Sequence, residues 1–277
     1  MKRWRRYWRG AESMLKKIIN PWNLLILIIL LIAFVLRVYR IGELLDFHYD
    51  QGRDAMIIWR LWHEHKFFLI GPVTGLEGIF LGPFYYYLIA PFYLIGGGNP
   101  VIPSIFLSLL TVMALVILYL TGKEIGGKTT GFIALIIGAF SNHIIFSNRW
   151  LSNPTPIYLS SILIFYFMIL ILKRPKFYYW YLVYLLVGVS LQFELASAIF
   201  YLPILIIFTI WQKPKLKIFI LSAFLLFLTL IPQILFNFRH DNILINNIIL
   251  QLLNPNLVKV DLAERLKTIW SIIIAIF

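Results

Sequence analysis

Ile79-Phe80-Leu81-Gly82-Pro83-Phe84-Tyr85-Tyr86-Tyr87 is the stretch that decides how often this chain crosses a membrane. It is apolar enough to start a span, yet Gly82 and Pro83 break it and three tyrosines follow. Tyrosine favours the membrane–water interface, and irregular backbone at membrane depth survives only under a cover of protein or water. Read as a crossing, the segment 79–97 disturbs the distribution of charge in every later loop. Read as a juxtamembrane helix, it brings that distribution into order.

The wider composition leaves little choice of class. The 277 residues are 61% hydrophobic and 13% charged, about half the charge of an ordinary soluble domain. A single soluble core could not hide that much apolar surface, so the chain is read as an all-α polytopic membrane protein. Spans need about 20 apolar residues. Candidates are 21–39, 79–97, 101–121, 129–147, 156–172, 177–193, 195–211 and 216–236, with a weaker segment at 243–253. Another begins near 266 and is still apolar at Phe277, which reads as an incomplete span at a truncated end.

Loops 122–128, 173–176 and 212–217 carry Lys123, Lys128, Lys173, Arg174, Lys176, Lys213, Lys215 and Lys217. They alternate with 141–155, 192–194 and 237–242, which hold Arg149, Glu194 and Arg239-His240-Asp241. Short cytoplasmic loops collect Lys and Arg, so the first set is expected inside and the second outside. Residues 1–20 form a basic cytoplasmic segment, with seven Lys and Arg in the first 17 positions. The run 21–36 lacks a small-residue cleavage site and is read as an uncleaved first span. The net charge of +13 thus suits anionic lipid and not nucleic acid. With no cysteine, disulfides and thiolate chemistry are excluded. The parity works only if 79–97 does not cross, which makes 40–99 one large external loop containing juxtamembrane helices. The domain expectation is therefore a transmembrane unit over 21–277 with its polar residues on the extracytoplasmic face of a cell membrane.

That loop holds Glu43, Asp46, Asp50, Asp54, Glu64 and Glu77, six of the twelve acidic residues in the chain. If Arg53 to Lys66 is helical, Asp50 and Asp54 lie one turn apart on one face. They can serve chemistry, or Asp50 and Arg53 can form an exposed ion pair capping a helix. Glu194 lies between two apolar runs, where an acid is costly unless paired or functional. His143 reads as an interhelical hydrogen bonder, and Tyr85 to Tyr87 as packing and interface residues before any sugar contact.

Tyr49-Asp50-Gln51-Gly52-Arg53-Asp54-Ala55, Gly71-Pro72, Leu81 to Pro91, Gly122 to Lys128, Ser147-Asn148-Arg149-Trp150-Leu151-Ser152-Asn153-Pro154 and Phe238-Arg239-His240-Asp241 together resemble the polyprenol-linked-sugar glycosyltransferases of the C-type membrane fold. The resemblance is to bacterial members akin to protein O-mannosyltransferases and lipid A aminoarabinose transferases. It implies transfer of a sugar from a polyprenyl-phosphate donor to a lipid, glycan or protein acceptor, with inversion and with Asp50 as general base. Gln51 stands where the family commonly has glutamate, and Asp54 is the candidate substitute. Family members that use a divalent metal place acids after an arginine in the second external loop. Here Arg149 leads into Ser152 and Asn153, so no cofactor is assigned and a divalent metal stays open.

Chemistry supplies the remaining roles. The acceptor hydroxyl needs a carboxylate within hydrogen-bond reach. The departing phosphate needs fixed positive charge, for which Arg53, Lys66, Arg149 and Arg239 are candidates. Glu77, Tyr85, Glu194 and His240 complete the expected substrate-binding set, converging from separate loops with Asp50 at the base. The competing function is a transporter or lipid flippase. A transporter should bury charge near the midplane of its helices, whereas these spans are almost free of it.

Overall fold

The computed structural model describes residues 20–76, 78–253 and 262–276. Helix α1 (Pro21–Val38) starts with Asn20 accepting from the Trp22 amide and Pro21 in the first turn. Short α2 (Ile41–Leu44) and amphipathic α3 (Tyr49–His63) follow, then α4 (Phe84–Ile95). The long α5 (Val101–Phe140) precedes α6 (Asn142–Asn148), α7 (Ile157–Lys173) and α8 (Phe177–Phe193). The chain continues with α9 (Leu195–Ala198), α10 (Tyr201–Gln212), α11 (Leu216–Arg239), α12 (Ile243–Leu253) and α13 (Leu262–Ile276). The described residues contain no β-strand, only an isolated bridge between Val73 and Phe80. The all-α polytopic expectation holds. Pro21–Val38, Val101–Phe140, Leu195–Gln212 and Leu216–Arg239 are each long and apolar enough to cross a membrane.

At 1.5 Å per residue, α5 would run about 60 Å, twice a bilayer core. It instead folds back at Gly126 and Gly127. Gly127 has φ +88°, a conformation that side chains rarely adopt. The two arms then pack backbone to backbone. A Cβ on Gly122 would stand 2.8 Å from the Gly131 Cα, and one on Gly131 would strike the Tyr119 carbonyl. Small residues permit this closeness where no hydrophobic force drives helices together. The two spans expected at 101–121 and 129–147 are thus an antiparallel hairpin. The second differs from expectation, since Ser141 leaves helical geometry (ψ 119°) and divides it into the end of α5 and the separate α6.

The break exposes carbonyls at the end of α5, and Arg37 takes them. Buried to 0% exposure, it donates to Gly138 O at 3.1 Å, Ala139 O at 3.3 Å and Ala33 O at 3.0 Å. A guanidinium at a helix C-terminus also meets the negative end of the helix dipole. Its Nε has no partner.

Contacts sort the loops into two ends. At one end Glu124 accepts from the side chains of Lys173 and Arg174, and Trp22 packs near Tyr119 and Phe132. This is the lysine-rich end. At the other, Arg149 bonds the Tyr39 carbonyl, Asn153 bonds the Phe193 carbonyl, and Gln192 accepts from the Phe84 amide.

Helix α4 sits wholly at this second end. It begins against Phe193 and finishes with Phe92 stacked on Phe106, in the first turns of α5. Twelve residues reach about 18 Å, short of a bilayer core. Before it the chain turns, with the Gly71 amide donating to Leu81 O and the Leu81 amide to Pro72 O. Asn247 pins that turn through Gly78 O, and Gln233 through Phe80 O.

Candidate functional site

Helix α3 carries the site, and its sequence explains how. Gln51, Asp54, Ile58 and Leu61 recur at helical spacing and form its buried stripe. They pack on Tyr85, Tyr86, Ile89, Ala90 and Tyr93 of α4, with Leu107, Leu151 and Phe193 closing the core. Asp54 therefore occupies an apolar position. Asp50 lies off the stripe, in the first turn, with its side chain 68% exposed.

Arg53 joins the two carboxylates. Its Nη1 donates to Asp50 Oδ1 at 2.8 Å, while Nε and Nη2 donate to Asp54 Oδ1 at 3.1 and 2.9 Å. From α4, the Tyr86 hydroxyl donates to the same Oδ1 at 2.9 Å. Burial raises the Asp54 carboxyl from its ordinary value, against the opposing pull of Arg53 and Tyr86. Burial opposes the charge on Arg53, but its bond to Asp54 and the nearby carboxylates outweigh that and raise it. Burial, and then the Asp54 charge, push the Tyr86 and Tyr93 phenols well up.

Gln51 is buried and reaches back to accept from the His48 amide at 2.9 Å. It closes a capping box at the start of α3. A neutral amide does this without adding a third carboxylate. His48 in turn pairs with Asp46 at 2.5 Å.

Other expected residues fall in different places. Arg149 lies at the same end, where it shares a groove of about 460 Å³ with Leu44, Asp46, Phe146, Ser147 and Trp150. One Nη2 bond at 2.6 Å to the Tyr39 carbonyl fixes its direction. Tyr85 is core, at 1% exposure. Lys66 pairs with Glu64 at 2.5 Å beyond the far end of α3, about 20 Å along the helix from Asp50. Glu194 spends its carboxylate capping α9, accepting from the Ala196 and Ser197 amides at 2.9 Å each. His240 stacks on Phe236 with ring centroids 4.0 Å apart, and exposed Arg239 adjoins it at the end of α11. Both are at the acidic end, but neither touches the α3 cluster. Glu77 lies outside the described residues.

The expected convergence is thus narrower than the sequence suggested. Asp50, Arg53 and Asp54 meet, and Asp54, not Asp50, is the deeply placed carboxylate. Tyr86 was missed because it reads as one of three similar tyrosines. The helix starting at Pro83 puts residues 85, 86, 89, 90 and 93 on one face, and that spacing was the available signal. No group of three or more His, Cys, Asp or Glu among the described residues could hold a metal ion.

Apolar helices hairpinned around a carboxylate–arginine cluster at one end define a multi-pass membrane protein with a polar site at its edge. The chain belongs to the dolichyl-phosphate-mannose-protein mannosyltransferase family, whose model matches residues 81–237. No curated protein and no solved structure matches it. Membership makes it a membrane glycosyltransferase of a family that draws sugar from polyprenyl phosphate. The match begins at Leu81 and so leaves out helix α3, whose role rests on geometry alone.

Proposed function

We propose that this enzyme moves a sugar from polyprenyl phosphate to an acceptor hydroxyl on the extracytoplasmic side, by a single displacement with inversion. Asp50 is the general base. The observation that carries this is the pair at the start of α3: an exposed carboxylate at the acidic end, oriented by Arg53 at 2.8 Å. A base must be reachable by the incoming hydroxyl, and Asp54 is buried, with three donors already on its Oδ1. One accessible carboxylate suits attack opposite the leaving phosphate; a double displacement needs two.

The donor's phosphate fits the groove at Arg149. That guanidinium has donors beyond its bond to Tyr39, and Leu44, Phe146 and Trp150 offer apolar wall for the adjoining lipid. The orientation follows from lysine distribution, which sets the Glu124 end inside. An ordinary transporter reading gains nothing from Arg37, because this buried charge directs its bonds to backbone carbonyls.

The test is turnover of labelled polyprenyl-phosphate mannose in proteoliposomes. Asp50→Asn keeps the shape and removes the base, so kcat should fall by roughly two to four orders of magnitude. Donor affinity should change little. Near-normal turnover by the variant, or a product that keeps the donor's anomeric configuration, refutes the mechanism.

A further inference from the structure

We propose that Asp54 and Tyr86 form a buried positioning pair that fixes Arg53, and through Arg53 aims Asp50 for the transfer step. The proposal rests on Asp50 as the base. It assigns a role to Tyr86 and changes that of Asp54 from a second catalytic acid to a support.

The geometry has three parts. Asp54 Oδ1 receives Nε and Nη2 of Arg53, so one edge of a rigid planar group is held by one oxygen. This leaves Nη1 pointing to Asp50. The Tyr86 hydroxyl reaches Asp54 from α4, a separate element 32 residues on, and so locks the α3 carboxylate to the neighbouring helix. Without Asp54, Arg53 would have only the exposed Asp50 to hold it, and such pairs order side chains weakly. A functional carboxylate held to fractions of an ångström needs a support of this kind.

Electrostatics bear on the same point. The charged and titratable groups facing Asp54 are Arg53 and Asp50 from its own helix, and Tyr85, Tyr86 and Tyr93 from α4. The three phenols are shifted upward and stay neutral at working pH, so Arg53 is the cation that compensates Asp54. Asp54 holds Arg53 most tightly as a carboxylate. Protonation therefore loosens Arg53 and misaims Asp50, and the Tyr86 bond opposes that protonation.

The test follows kcat against pH for the full chain in nanodiscs, as wild type, Tyr86→Phe, Asp54→Asn, Asp54→Glu and Asp50→Asn. Phe fills the space of Tyr and removes one bond to a charged acceptor. The acid limb of kcat should move up by about one pH unit in Tyr86→Phe, with recovery toward wild type at higher pH. Asp54→Asn should lose about a hundredfold in kcat. Asp54→Glu should recover part of that loss, and Tyr86→Phe added to Asp54→Asn should cost nothing more. A Tyr86→Phe profile superimposable on wild type, with Asp50→Asn inactive, overturns the positioning pair and leaves the base assignment standing. An additive double variant overturns it as well. An active Asp50→Asn overturns the base assignment itself.

Discussion

Replacing Arg53 with Met would leave Asp54 in its buried position with Tyr86 as its remaining partner. Asp54 is 7% exposed. A buried charge stripped of its partner costs about 3–5 kcal/mol if it stays ionised. It can instead take up a proton. From an unfolded carboxyl near 3.9, protonation at pH 7 costs about 4 kcal/mol at 1.36 kcal/mol per pH unit. The two routes agree, so the variant should be less stable than wild type by about 4 kcal/mol at pH 7. For a chain of this size that is a fall in Tm on the order of 10 °C. The sign of the pH dependence follows from the raised carboxyl. A group whose folded pKa lies above its unfolded value favours the fold below the unfolded pKa and loses that benefit as pH rises through the folded pKa. The penalty in Arg53→Met should therefore shrink as pH falls from 7 to 5, by up to about 2.7 kcal/mol, two pH units' worth. Thermal unfolding in detergent at the two pH values, for wild type and variant, measures it. An Asp54→Asn background should abolish both the penalty and its pH dependence. A Tm gap that ignores pH, or persists in Asp54→Asn, refutes the reasoning.

Two further outcomes follow from the bundle. Single cysteines are clean probes in a chain with none of its own: one at position 125 should resist an impermeant thiol reagent in intact cells, one at position 75 should label, and the reverse pattern inverts the proposed orientation. Gly131→Leu should splay the α5 hairpin and cost several kcal/mol, because its side chain meets the Tyr119 backbone, whereas Gly75→Ala, with nothing within 4 Å, should leave Tm unchanged.

The apolar helices were readable because apolar length is a property of the chain itself. The short helix at 84–95 was readable for the same reason: Gly82, Pro83 and the tyrosines carry their preferences locally. The depth of the two aspartates was not. Asp50 and Asp54 share a helix face by spacing, but which one is buried depends on where α4 docks, and that is set by Leu107, Leu151 and Phe193 far along the chain. The same holds for Arg37, whose partners appear only where the break at Ser141 supplies carbonyls for it. Lys66 and Glu194 had the right charges, but each is satisfied by its near neighbours in the chain.

The turn before α4 and the start of that helix are pinned by residues made much later. Gln192 meets Phe84 across 108 positions, Gln233 meets Phe80 across 153, and Asn247 meets Gly78 across 169. Chains emerge from the ribosome N-terminus first, so the segment beside the acidic helix is delivered to its side of the membrane long before its anchors exist. Its final shape waits on the insertion of α8, α11 and α12. Completion of the site is thereby a late event in biogenesis, and a nascent chain halted before Asn247 would present the acidic helix without the turn fastened beside it.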